Sequence, residues 1–119
     1  LYGFSRAVHL LAREAERVGF ECPSLKLVVL SSEVATPPMV EAVRRGLGAP
    51  VAIEYGAAEC PFVAASSGGG RLRVREDLVS VETLRRDDRR YDLVLTVFGN
   101  TSFPLVRYAI EDIVDAPIS

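Results

Sequence analysis

The sequence is short of the residues that carry metal and redox chemistry. It has one histidine, His9, and two cysteines, Cys22 and Cys60, with no CxxC spacing. A small secreted scaffold carries a denser cysteine framework. The two thiols are therefore expected to be reduced and the protein cytoplasmic, with a disulfide or a metal pair as the alternative reading. No apolar run approaches the ~18 residues of a membrane helix, so membrane insertion is not expected. Residues 1–17 mix charges throughout, unlike a signal peptide. Lys and Arg number 14 against 16 Asp and Glu, a net charge of -2. Nothing resembles the basic stripe of a nucleic-acid binder.

What is present is ordinary for a globular chain: 119 residues, 49% hydrophobic and 25% charged. That length suits one domain or part of a larger one. The chain begins at Leu1, not Met, and ends at Ile118-Ser119 without a tail. The expectation is an interior piece of something longer.

Periodicity predicts a helix over residues 5–18. Ser5 is its candidate cap, Val8, Leu11, Ala12, Ala15 and Val18 form its apolar face, and Gly19 stops it. The apolar run Leu25 to Leu30 suits a buried parallel strand, followed by the polar loop Ser31-Ser32-Glu33. Thr36 and Pro37 open a second helix, with Val40, Val43 and Leu47 on one face and Gly48 as its end. Pro50 to Tyr55 is the next strand. This strand–helix–strand unit implies parallel strands and a right-handed crossover. Beyond Gly56 the pattern changes. Phe62 to Ala65 is a short apolar run and Ser66 to Gly70 a flexible turn. Strands are predicted at Leu72–Arg75, Val79–Leu84, Tyr91–Phe98 and Phe103–Tyr108, with a mixed-charge hairpin tip at Arg85–Arg90. The expected fold class is α/β: a parallel layer over residues 1–65, then an antiparallel, barrel-like β-rich segment over 66–119.

In an open α/β sheet, ligands bind outside the carboxyl ends of the strands. Ser31-Ser32-Glu33 and Tyr55-Gly56-Ala57-Ala58-Glu59 both follow parallel strands, so one small ligand can touch both loops. Gly56 permits close backbone approach, Tyr55 offers a flat ring, and Glu59 offers a carboxylate suited to a hard cation such as Mg²⁺. On spacing alone, a turn glycine and a solvated glutamate explain the same residues equally well.

Tyr55-Gly56-x-x-Glu59 after a strand resembles the Tyr-Gly-x-Thr/Ser-Glu motif of adenylate-forming enzymes. Downstream, Pro104-Leu105-Val106-Arg107-Tyr108-Ala109-Ile110-Glu111-Asp112 is similar to the Pro-Leu/Ile-Ile-Arg-Tyr-x-Thr-x-Asp segment of the phenylacetate–CoA ligase type. Upstream, Ser31-Ser32-Glu33 stands where that family has Gly-Ala/Gly-Glu. The three segments keep the family's order and spacing, over about Ser24 to Val114.

The resemblance implies an interior part of the large N-terminal, AMP-binding domain of a ligase. Ser32 and Glu33 would lie along the adenine. Tyr55 would stack on it, with Gly56 beneath and Ala57 and Ala58 in the same nucleotide-binding loop. Glu59 would be the catalytic and metal-holding carboxylate. Asp112 would accept hydrogen bonds from the ribose hydroxyls, and Arg107 and Tyr108 would brace its segment. The implied reaction joins a small carboxylic acid to ATP as an acyl-adenylate, with Mg²⁺, and transfers the acyl group to coenzyme A. The implied partners are the rest of the parent chain, including a C-terminal lid domain that bears a lysine. A homodimer is compatible with this reading.

Two departures stand out. Ala58 replaces the usual Thr or Ser, whose hydroxyl can bond the AMP phosphate. One such hydrogen bond to a charged group is worth roughly 1.5–3 kcal/mol. Ala109-Ile110-Glu111 also lacks the Thr expected before the aspartate. The upstream Gly-rich phosphate loop is not in these 119 residues, and Ser66 to Gly70 cannot replace it. The isolated 119 residues are therefore expected to be inactive. Two other readings stand beside the CoA ligase: an adenylating enzyme with an amine, sugar or carrier-protein acceptor, and a degenerate paralogue that binds a nucleotide or partner without catalysis. His9, the alternating Arg71, Arg73 and Arg75, and the Asn100-Thr101 pair read first as structural. Cys60 and Phe62 read as either core or pocket wall.

Overall fold

Val8, Ala12 and Ala15 recur at helical spacing, and these are the positions that helix α1 (Ser5–Val18) buries. The computed structural model describes residues 1–66 and 71–116. They form two compact units, one through Arg73 and one from Val74. Ser66 and Arg73 thus stay with the first unit. Of the turn predicted over Ser66 to Gly70, Ser66 instead ends a strand, and 67–70 lie outside the described residues.

From the start of the chain the order is β1 (Tyr2–Phe4), α1, β2 (Val28–Ser31), α2 (Pro37–Leu47), β3 (Val51–Tyr55), β4 (Ala64–Ser66) and β5 (Arg73–Val74), the last of which straddles the division at Arg73. The sheet runs β1-β2-β3-β4-β5. β1, β2 and β3 are parallel, with Gly3 beside Leu30 and Leu30 beside Ile53. β4 returns antiparallel, with Tyr55 beside Ala64. Val28, Leu30 and Val51 meet Val8, Ala12, Ala15, Val43 and Leu47 in one core between helices and sheet. The α/β layer followed by an antiparallel segment is the architecture that the sequence predicts.

Several local expectations are corrected. Ser5 does not cap α1. Phe4 holds the cap position without a side-chain bond, and Ser5 is the first helical residue, fully buried. Leu11 and Val18 lie outside the buried face, at 50% and 57% exposure. β2 begins at Val28, since Leu25 packs on the core from a loop. Thr36 takes the N-cap position of α2 without a side-chain bond. Gly19 and Gly48 end the helices at φ of 67° and 65°, left-handed conformations that glycine adopts without a Cβ penalty.

The second unit is an antiparallel sheet of β6 (Val79–Arg85), β7 (Tyr91–Val97) and β8 (Tyr108–Val114), in that order. Among the described residues it is an open sheet rather than a barrel. The charged 85–90 stretch is the hairpin tip. There Arg86 N–H donates to Arg90 O at 2.9 Å and Arg90 pairs with Asp87 at 2.6 Å. The strand predicted at Phe103–Tyr108 is not formed. Pro104 lacks a ladder donor, the Asn100 carboxamide accepts the Phe103 N–H at 3.2 Å, and Arg107 has φ of 50°. The strand starts only at Tyr108.

Candidate active site

The carboxyl ends of β2 and β3 lie side by side because the strands are parallel neighbours. After β2, Ser31 is buried and Ser32 is exposed with φ of 65°. The Glu33 side chain turns back to α1, where its Oε2 accepts the Arg6 N–H at 2.9 Å. The Ser5 hydroxyl reaches the Glu33 carbonyl at 3.0 Å. A carboxylate here satisfies an orphan N–H and meets the positive end of the helix dipole. Of the two predicted adenine-lining residues, Ser32 faces outward, while the Glu33 carboxylate is engaged at the helix terminus.

After β3, the motif loop is a closed turn. Ala57 N–H donates to Cys60 O at 3.0 Å, and Cys60 N–H donates to Ala57 O at 3.1 Å. Tyr55, Gly56 and Ala57 are half-buried, Ala58 and Glu59 are exposed on the turn, and Cys60 is buried. Gly56 is required by close approach. A Cβ there would stand 2.7 Å from Glu54 Oε1 and 2.8 Å from the Phe62 backbone nitrogen. Burial pushes the Cys60 thiol pKa up.

One residue behind this loop carries more contacts than its place in an apolar strand suggests. Glu54 is 6% exposed. Its Oε2 accepts from the Tyr2 hydroxyl at 3.0 Å and from the Ser31 hydroxyl, and its Oε1 accepts the Phe62 N–H at 3.1 Å. The Tyr2 and Phe62 rings lie 6.4 Å apart beside it. Sequence reading passes over Glu54. Its one signal is a charged residue in the otherwise apolar run Val51–Tyr55.

In the second unit, Arg107 Nε donates to Glu82 Oε1 on β6 at 3.2 Å, and Arg107 N–H donates to Thr96 Oγ1 at 3.0 Å. Glu82 is the carboxylate partner that the sequence does not name. Between the pairs Asp92–Ile113 and Val94–Ala109, the single residue Leu93 faces Ile110, Glu111 and Asp112. Glu111, at φ of 65°, takes up that bulge. A bulge re-aims neighbouring side chains, and exposed Asp112 is its last residue. Tyr108 opens β8 at 37% exposure.

No group of three or more His, Cys, Asp or Glu side chains among the described residues could hold a metal by itself. Glu59, an exposed carboxylate on the motif turn, is the kind of hard oxygen donor that a Mg²⁺ ion would need. Cys22 and Cys60 are free thiols.

The class defined so far is an α/β layer with two loops side by side on its carboxyl edge and a separate antiparallel sheet. No protein-family model matches the chain, and no curated protein matches it by sequence. Solved structures do. An open conformation of 2-hydroxyisobutyryl-CoA ligase in complex with 2-HIB-AMP and CoA is similar, at 22% identity and TM-score 0.76 over 94% of this chain and 30% of that one. VinN in complex with L-aspartate is similar at 16% identity and TM-score 0.72, over 94% of this chain and 34% of that one. An acyl-CoA synthetase of Brucella canis is similar at 23% identity and TM-score 0.58, over 94% of this chain and 23% of that one. The chain shares its fold with a stretch of each of these structures and spans 23–34% of their lengths.

Proposed function

We propose that the protein containing this chain activates a carboxylic acid with ATP as its acyl-adenylate and passes the acyl group to coenzyme A. The observation that carries this reading is the pairing of the Ser31–Glu33 and Tyr55–Glu59 loops on one sheet edge, in a fold shared with 2-hydroxyisobutyryl-CoA ligase. The half-buried Tyr55 ring suits the adenine, with the Ser32 and Glu33 backbone along its edge. Gly56, Ala57 and Ala58 supply backbone to the nucleotide, and exposed Glu59 would hold Mg²⁺ against its phosphates. Asp112, which follows the Glu111 bulge, would accept from the ribose hydroxyls, with Arg107 and Tyr108 bracing its strand.

In the first step a substrate carboxylate oxygen attacks the α-phosphorus of ATP and the bond to pyrophosphate breaks. In the second, the coenzyme A sulfur attacks the acyl carbon and AMP leaves. When bound, Mg²⁺ would neutralise phosphate charge in the first step. The chain's own residues position the nucleotide, which is where most of the catalytic advantage in such chemistry lies.

The test is a screen of the full-length protein against single carboxylic acids, reading AMP release with and without coenzyme A. AMP release that needs both an acid and coenzyme A supports the ligase. The second reading is an acid-activating enzyme with a different acceptor, and VinN, whose structure holds L-aspartate, is similar in fold. Pyrophosphate exchange without a coenzyme A-dependent product would select it. No exchange with any acid would leave the degenerate paralogue.

A further inference from the structure

The Glu54 carboxyl is nearly out of water, and a buried carboxyl is costly unless its oxygens find donors. Here both do, and the donors come from three separate places. Tyr2 is on β1, Ser31 ends β2, and Phe62 follows the motif loop. Alternation along the strands explains the meeting. Val28, Leu30 and Val51 face the helices, so Tyr2 (register partner of Val29), Ser31 and Glu54 fall on the other face of the sheet. The two carboxyl oxygens divide the work. Oε2 holds the first residue of β1 and the last of β2, and Oε1 holds the loop.

The loop between these anchors has little freedom. Gly56 packs against Glu54 Oε1 at one end, Phe62 N–H is bonded to the same oxygen at the other, and the reciprocal Ala57–Cys60 bonds close the middle. Fixing both ends of a closed turn fixes its tip, and Glu59 is on that tip.

We propose that Glu54 is the positioning residue of the site: it bridges Tyr2 at the start of β1 and Ser31 at the carboxyl end of β2 to the 56–62 loop and so sets where Glu59 and the Tyr55–Gly56 backbone stand. This rests on the nucleotide reading of that loop only for its effect on activity. The anchoring itself is separately measurable.

The experiment compares Glu54→Leu and Glu54→Gln in the full-length protein, by amide hydrogen exchange and by the KM for ATP in pyrophosphate exchange. Leu removes every acceptor. Gln keeps one carbonyl oxygen for Phe62, and its amide can donate to the Ser31 or Tyr2 hydroxyl. With Leu, exchange over 56–62 should rise at least about tenfold while α2 stays protected, and the ATP KM should rise about tenfold or more, the effect of one lost bond to a charged group. Gln should restore both readouts most of the way. The proposal is overturned if 56–62 exchanges alike in wild type and Leu, if α2 loses protection with the loop, or if Gln behaves as Leu. If the wild type shows no pyrophosphate exchange with any acid, the ligase reading fails, and hydrogen exchange alone still decides the role of Glu54.

Discussion

Arg107 of the β8 approach and Glu82 of β6 form an ion pair at 3.2 Å, with both side chains largely in water at 61% and 42% exposure. Exposed pairs contribute little to stability and are screened by salt. A double-mutant cycle of Arg107→Ala and Glu82→Ala should therefore give a coupling of about 0.2–1 kcal/mol, shrinking in high salt. Urea unfolding measures it. A coupling of several kcal/mol would mean that the pair is far less solvated than it is here.

Gly46 on α2 meets Ala12 on α1 backbone to backbone, and a Cβ on Gly46 would overlap the Ala12 carbonyl. Alanine is the better helix former by about 1 kcal/mol, so propensity alone predicts that Gly46→Ala stabilises. The collision predicts the reverse, a loss of about 1–3 kcal/mol as the helices are forced apart. The sign of the change in urea midpoint decides between them.

The two thiols should differ in reactivity. Cys60 is buried with its pKa pushed up, and Cys22 is half-exposed. The thiolate is the reactive form. Iodoacetamide at mildly alkaline pH should label Cys22 first, with Cys60 following only on unfolding, as peptide mass mapping would show. The stability consequence has a definite sign. Folded Cys60 binds its proton more tightly than the unfolded chain does, so its contribution is flat below the ordinary thiol range, about 8.5, and falls as pH rises above it.

Much of the fold is legible in the sequence where the signals are local. Val8, Ala12, Ala15 and the stop at Gly19 define α1, and Pro37 and Gly48 bracket α2. The rest depends on partners far along the chain. β1 has only Tyr2, Gly3 and Phe4, too short for a period, and exists because Leu1 and its neighbours bond to the Leu27–Ser31 edge. β8 is hidden by two left-handed residues, Arg107 and Glu111, which no alternation rule anticipates. In the candidate site, the motif loops are legible from spacing and resemblance. Glu54 is not, because its donors lie 52, 23 and 8 residues away. Nor is the Glu33 carboxylate, whose bond to the Arg6 N–H depends on how α1 docks.

Ala58 is exposed on the motif turn, where the resembling enzymes carry a hydroxyl. Ala58→Thr restores a donor for an AMP phosphate. In the full-length protein it should tighten AMP binding about tenfold or more, the value of one bond to a charged acceptor. Isothermal titration reads this directly. Unchanged affinity would mean that the turn does not face the phosphate.

The central proposal is that the full-length protein adenylates a carboxylic acid and that Glu59 and Asp112 are each needed for it. Acid-dependent ATP–pyrophosphate exchange, measured on the full-length protein and its Glu59→Gln and Asp112→Ala variants, tests it most directly. The account predicts exchange in the wild type and a loss of at least about a hundredfold in each variant, on the scale of removing a preorganised electrostatic contact, with unfolding curves unchanged. The isolated 119 residues should show none. Near-normal exchange in both folded variants, or exchange by the isolated chain, would contradict it.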